Sequence, residues 1–370
     1  MKIPFRGCPA RIGAKESTVS RRFFCDFRPL IILLSTAHIL SADPLPAKDS
    51  GATFGSHHGL GFSDGTLYLH TGDTIYSVDA THPADPSFTL HMNGLRSAFA
   101  GPPRVFESGF ATADGGHALV SMGFTDGGVL AIDLVGKTTQ FVSDFDIDNI
   151  FNAAGRVDGT FYAMRVDPGF ATSTFVYHVD PSTHATDAVV DPAAGTGDAS
   201  GGMTFDASGN LLVSSFDFTN GRANFYSVLA SDLLGFESQG TTPPVTLLGG
   251  GPANGNYNIV VTSNDTIFFN TTTGIGQLNP ATGTVSNIYR DILDPDLFNY
   301  DPFKQPLNGL AYDVAMDHIV FAEFNDTLDA YELVWLAMPE PTGLMSFGLA
   351  LVISLSRRRN LRTFGLGSRH

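Results

Sequence analysis

The sequence predicts an all-β fold made of six copies of one small antiparallel sheet, and three observations carry that expectation. A turn followed by a short apolar strand recurs: Asp64-Gly65 precedes TLYLHT, Asp114-Gly115 precedes GHALVSM, and Asp158-Gly159 precedes TFYAMRV. Ser208-Gly209 then precedes NLLVSSF, Asn264-Asp265 precedes TIFFNT, and Met316-Asp317 precedes HIVFAEF, giving anchors spaced by 50, 44, 50, 56 and 52 residues. A second marker, a strand expected to end at Asp79, Asp133, Asp180, Ala230, Asn279 and Leu333, keeps spacings of 54, 47, 50, 49 and 54. Abundant Gly, Thr, Asp and Phe, with few Lys and Glu, favour strands and turns over helices.

Each unit has three or four short strands, and a period near 50 is that of a propeller blade. The first strands are HHGLGF, FESGFATA, FNAAGRV, GGMTFDA, NYNIVVT and NGLAYDV, rich in glycine and apolar residues. Innermost strands converge on the axis, where glycines at 59, 61, 109, 155, 201, 202 and 309 let backbones approach. Turns such as Asp180-Pro181-Ser182-Thr183 and Asn279-Pro280-Ala281-Thr282-Gly283 join third strands to outer ones. Six blades fill residues 43–337. Seven is the alternative if the loop 232–256 hides a unit, and a β-sandwich or β-helix is the competing fold. Ring closure would pair a strand near 48–53 with the last blade.

The termini give a route. Lys2, Arg6, Arg11, Lys15, Arg21, Arg22 and Arg28 precede the apolar stretch 30–40 and the small residues Ser41-Ala42. This is the pattern of a secretory signal peptide over 1–42, cut after Ala42. Ser20-Arg21-Arg22-Phe23-Phe24 also resembles a twin-arginine export motif, so the general and twin-arginine pathways both stay open. Cys8 and Cys25 both lie in this leader, which leaves the mature chain without disulfide or thiolate chemistry.

At the other end, MPEPTGLMSFGLALVISLSRRRN sets a Pro-Glu-Pro turn before fifteen uncharged residues, 342–356, and an arginine block. Fifteen helical residues span about 22 Å, short of the roughly 30 Å bilayer core, so flanking arginines must reach the headgroups. Arg357, Arg358 and Arg359 would hold that end in the cytoplasm. Pro339, Glu340 and Pro341 keep the preceding backbone extended and accessible. The tail 338–370 resembles the PEP-CTERM sorting signal, in which Pro-Glu-Pro, one hydrophobic helix and a basic cluster follow in that order. The resemblance implies an exosortase-type processing enzyme as partner. It also implies delivery to the cell envelope or outside, with transient anchoring in the inner membrane. An ordinary C-terminal anchor is the alternative.

Between the termini, nine basic and 34 acidic residues give a formal charge of −25 over 43–337. Such a surface repels phosphate backbones and anionic headgroups, which excludes nucleic acid as partner and limits membrane contact to the C-terminal helix. Ligands usually enter a propeller at the channel mouth, near the starts of the innermost strands. The polar residues there are His58, Glu107, Asn152, Asp198, Asn256 and Asn308. Their plain role is to cap strand ends and hold channel waters. Their chemical role would be to hold a divalent ion that polarises a lactone or phosphoester. Gluconolactonase-like propellers work in that way, though the fit here is by blade position alone. Asp144, Asp146 and Asp148 alternate with Phe145 and Ile147, the period of a half-buried strand whose carboxylates face solvent. Relief of their mutual repulsion by Ca²⁺ is the alternative, and Ca²⁺ is the one cofactor the sequence suggests. With no Ser-His-Asp set and no zinc signature, the first expectation is an exported, non-catalytic propeller that binds exopolysaccharide or an envelope protein. The second is a secreted metal-assisted hydrolase or lactonase.

Overall fold

Among the described residues twenty-three strands follow one another, and within each sheet they pair only with their sequence neighbours. The computed structural model describes residues 59–338 except 80, 82, 84–85, 99–106, 123–127, 143–149, 166–174, 181–184, 191–198, 218–219, 254–257, 272–273, 291–306 and 326–329. Blade 1 holds β1 (Gly59–Ser63), β2 (Thr66–His70), β3 (Thr74–Asp79) and β4 (Ser87–Asn93). Blade 2 holds β5 (Glu107–Ala113), β6 (His117–Met122), β7 (Gly128–Asp133) and β8 (Thr138–Val142). Blade 3 holds β9 (Ile150–Gly155), β10 (Phe161–Arg165), β11 (Phe175–Asp180) and β12 (Ala185–Val190). In blade 4, β13 (Ala199–Phe205), β14 (Leu211–Asp217) and β15 (Arg222–Val228) are followed by a helix, α1 (Ala230–Gln239), and β16 (Thr246–Pro252). Blade 5 holds β17 (Ile259–Val261), β18 (Ile267–Asn270), β19 (Gly274–Asn279) and β20 (Thr284–Arg290). Among the described residues blade 6 has three strands, β21 (Leu307–Asp313), β22 (His318–Asn325) and β23 (Ala330–Ala337).

The six sheets stand round one axis. The first strands touch in sequence from β1 through β5, β9, β13 and β17 to β21, and β21 returns to β1. The apolar side chains explain why this ring closes. Second strands such as β10, β14 and β18 are buried on both faces, because each sheet is sandwiched between two others. The core is accordingly six cores, one between each pair of neighbouring blades. Blades 6 and 1 share theirs: Val320, Leu333 and Trp335 pack with Leu60, Leu67 and Leu69. An open array would leave those faces in water. The fold is therefore a six-bladed β-propeller.

Glycine does what the sequence predicts at the axis. A Cβ on Gly59 would lie 2.2 Å from Cβ of Phe110, and one on Gly155 2.1 Å from the Thr112 carbonyl oxygen. One on Gly202 would lie 2.6 Å from the Ile259 nitrogen. Blades 1 and 2 are also stitched by hydrogen bonds: Ser63 Oγ donates to Ala113 O and Thr112 Oγ1 to Phe62 O, each at 2.7 Å.

Three details depart from the sequence reading. Among the described residues, the stretch 232–256 holds most of α1 and all of β16 and no further blade. The third strand of blade 4 stops at Val228, because Ala230 already begins α1. The third strand of blade 6 runs on to Ala337, past Leu333, because it pairs with β22 as far as His318. The other four third strands end at Asp79, Asp133, Asp180 and Asn279 as expected. The segments 1–42, 48–53 and 339–370 lie outside the described residues. Among those that are described, no helix is long and apolar enough to cross a membrane.

Candidate functional site at the channel

The first strands enclose a cavity of about 250 Å³ on the axis. Its lining is mostly backbone and small side chains, with Asn152, Asn258, His70, Thr112, Thr204 and Tyr312 as the polar groups. A repeat position explains which side chains reach it. In each blade one residue, the last of the first strand or the one just after it, closes the turn to the second: Ser63, Ala113, Arg156, Asp206, Thr262 and Asp313. Four residues earlier stand Gly59, Gly109, Asn152, Gly202, Asn258 and Gly309. Four blades thus present glycine at this level of the channel, while blades 3 and 5 present asparagine.

These two amides meet. Asn152 Nδ2 donates to Asn258 Oδ1 at 3.4 Å, although blade 4 lies between their blades. Gly202 of that intervening blade has no side chain to obstruct the bridge. Asn152 is 7 % exposed and also accepts from the Ala153 nitrogen at 2.8 Å. Asn258 is held by its own sheet: its N–H donates to Asn270 Oδ1 at 2.6 Å, and its carbonyl accepts from the Asn270 N–H at 3.1 Å. In blade 4 Ser214 plays the matching part, accepting from the Gly202 N–H at 2.7 Å and donating to its carbonyl at 3.1 Å. Buried second-strand side chains thus satisfy first-strand backbone groups where the ladder is irregular, as at the bulge between Ser200 and Met203. On the opposite wall His70, 2 % exposed, stacks on Phe110 at 5.4 Å and bonds through Nε2 to the Gly72 carbonyl at 2.6 Å.

Of the residues singled out by sequence, Asn152 stands in the channel wall. Glu107 and Asn308 lie on β5 and β21, the innermost strands of blades 2 and 6. His58, Asp198 and Asn256 lie outside the described residues, as do Asp144, Asp146 and Asp148, and the sorting residues Pro339, Glu340, Pro341, Arg357, Arg358 and Arg359. Sequence reasoning missed Asn258 and His70. The spacing could have found Asn258, because it stands four residues before Thr262 as Asn152 does before Arg156. Among the described residues no group of three His, Cys, Asp or Glu side chains is placed to hold a metal ion.

A second polar cluster sits away from the axis, where α1 docks on blade 3. Glu237 accepts from Arg156 at 2.7 Å and from the Tyr162 hydroxyl, and His178 Nε2 lies 4.0 Å from the same carboxylate. Burial, followed by the bond to Glu237, pushes the Tyr162 hydroxyl far up from its ordinary value, so it stays a donor at any physiological pH. Burial alone would raise the Asp158 carboxyl nearby. Bonds from Thr160 Oγ1 at 2.6 Å and Thr160 N at 3.0 Å, with Arg156 beside it, nevertheless hold it below 3.8. A depressed carboxyl contributes stability above its unfolded value and loses it as pH falls through the folded one. The melting temperature should therefore drop between about pH 5 and pH 3. Thr160→Val, which removes one of those donors, should make that drop shallower. An unchanged slope in thermal melts of the variant would contradict this.

No protein-family model matches the chain, and no curated protein matches it. Solved structures do resemble it. A gluconolactonase from Xanthomonas campestris is 11 % identical over 77 % of this chain and 86 % of its own, with a TM-score of 0.51. A putative gluconolactonase is 13 % identical over 80 % and 97 %, with a TM-score of 0.48. A chain of a nidogen–laminin complex is 10 % identical over 70 % and 85 %, with a TM-score of 0.49. The first of these agrees with the architecture described above. At such identities the likeness concerns the fold alone.

Proposed function

We propose that this chain is an exported, non-catalytic propeller, sorted to the cell envelope or extracellular matrix by its C-terminal signal, that binds polymer or protein at its channel. The observation that carries the binding part is the chemistry of the described channel wall. Amides, hydroxyls, one imidazole and backbone groups line it, and the asparagines of blades 3 and 5 bridge across it. The amides, hydroxyls and backbone groups donate and accept hydrogen bonds without carrying charge, which suits the hydroxyls and amides of neutral polymers. The sorting part rests on the Pro-Glu-Pro motif, the apolar stretch and the arginine block read from the sequence.

A second reading, a metal-assisted hydrolase or lactonase at the same channel, is favoured by the fold shared with the Xanthomonas gluconolactonase. The two separate in one set of measurements. Changing Pro339, Glu340 and Pro341 to alanine should leave full-length protein in the inner membrane, where the parent chain is shortened and released. Unchanged processing of that variant would remove the sorting reading. The purified chain should hydrolyse neither lactones nor phosphoesters, with added Ca²⁺ or with EDTA. Turnover that EDTA abolishes would establish the hydrolase instead.

A further inference from the structure

We propose that the propeller face from which the tail leaves is a docking surface for the membrane-integral enzyme that processes that tail. This rests on the sorting reading above and adds to it a partner surface on the folded body. The carrying observation is where the last described strand ends. β23 pairs with β22 down to Ala337–His318, and the Met338 N–H still donates to the Asp317 carbonyl at 3.2 Å. The sorting motif begins at the next residue. A chain advances at most about 3.6 Å per residue, so Pro341 cannot lie more than about 11 Å from that anchor, nor Thr342 more than about 14 Å. The apolar stretch starts at Thr342, and the headgroup layer of a bilayer leaflet is itself only about 6 Å deep. An enzyme gripping Pro339–Glu340–Pro341 in so narrow a gap must touch the propeller.

Strand direction defines the surface it touches. Within every blade the strands are antiparallel, so first-to-second turns, third-to-fourth connections and the end of β23 all lie on one face. Contacts between neighbouring turns show that the blades share this orientation: Gly115 N donates to Asp64 Oδ1, and Ser263 Oγ bonds to the Tyr312 hydroxyl. The mouth formed by the starts of the first strands is at the opposite end of the axis.

The exit face has a distinctive chemistry. Each blade puts a carboxylate in its first turn: Asp64, Asp114, Asp158, Asp206, Asp265 and Asp317. Valines stand out among them, with Val135 and Val157 79 % exposed and Val314 72 % exposed. Leu229, which follows the end of β15 and precedes α1, is half-exposed on the same face. An anionic bilayer would be repelled by this ring of carboxylates. A membrane protein presenting basic and apolar side chains outside the membrane fits it. Because the mouth points the other way, a matrix ligand and the enzyme can be held at once.

The test follows processing of the full chain in cells that contain the enzyme, as the rate at which the shortened product appears. Combined Asp64→Asn, Asp114→Asn and Asp265→Asn keeps the acceptor oxygen toward Gly115 and suits the left-handed backbone at 64 and 265. We expect this variant to be processed about tenfold more slowly than the parent, the loss of a docking step worth one decade. Combined Val135→Ser, Val157→Ser and Val314→Ser should slow it similarly, whereas Asn93→Lys with Asn220→Lys on the opposite face should leave it within about twofold. Eight Gly-Ser residues inserted between Met338 and Pro339 should cancel the difference between triple variant and parent, since the gap is then no longer narrow. Parental rates in both triple variants, each melting like the parent, would overturn the proposal while leaving sorting intact. Faster processing of the Asp→Asn variant would also overturn it, as the signature of a repelled bilayer. Unchanged processing after alanine replaces Pro339, Glu340 and Pro341 would remove the sorting reading and this proposal with it.

Discussion

Gly155→Ala should destabilise the propeller by about 3 kcal/mol, although it adds a single methyl group. The new carbon would stand 2.1 Å from the Thr112 carbonyl oxygen, 2.6 Å from its carbonyl carbon and 2.9 Å from the Ala113 nitrogen. All three are backbone atoms of β5, which is paired with β6 along its length and cannot retreat without breaking that ladder. Room would have to come from separating blades 2 and 3, whose shared core includes Ala111, Ala113, Leu119, Ala153 and Phe161. Gly65→Ala is the informative contrast. It has a φ of 76° and nothing within 4 Å of the added carbon, so only left-handed strain applies, about 1 kcal/mol. Denaturant unfolding of both variants, read by Trp335 fluorescence, should rank them in that order. Equal midpoints would mean that the axis is less crowded than described.

Leu333→Ala should cost about 2–5 kcal/mol. The side chain is completely buried on β23, in the core that blade 6 shares with blade 1. Its removal leaves a cavity between sheets that are each fixed by their own hydrogen bonds, so the site cannot collapse to fill it. The lone tryptophan of the chain, Trp335, lies in the same core at 1 % exposure and reports the loss directly. Its emission should move to longer wavelength at lower denaturant in the variant than in the parent.

Much of this architecture was legible because each blade repeats the same local chemistry. Asp-Gly and Asn-Asp pairs mark the first turns, and Asp64 and Asp265 do adopt the positive φ that such turns require. Asp79, Asp133 and Asn279 mark third-strand ends because short polar side chains bond the turn that follows, as Asp79 does with the Thr81 N–H at 3.0 Å. The helix α1 was not legible. Only Leu233 and Phe236 are buried along it, Gly235 interrupts it, and Leu229 supplies no side-chain cap. What holds it is tertiary, the bonds from Arg156 and Tyr162 to Glu237, and no local pattern reveals those. At the channel, sequence named Asn256, which lies outside the described residues, and passed over Asn258, which the structure places in the cavity wall. Residues two apart on an extended chain face the same way, so periodicity gives the face and leaves the level along the axis open. Only counting back from the turn fixes that level.

The closed ring depends on blade 6 returning to blade 1, and a double-mutant cycle tests that contact across 266 residues of sequence. Leu67→Ala, Leu333→Ala and the combination should be unfolded with Trp335 as probe. A closed ring places both leucines in one core, so their effects should fall short of additivity by at least about 0.5 kcal/mol. Strict additivity, within about 0.3 kcal/mol, would mean that the two blades do not touch and that the sheets form an open array.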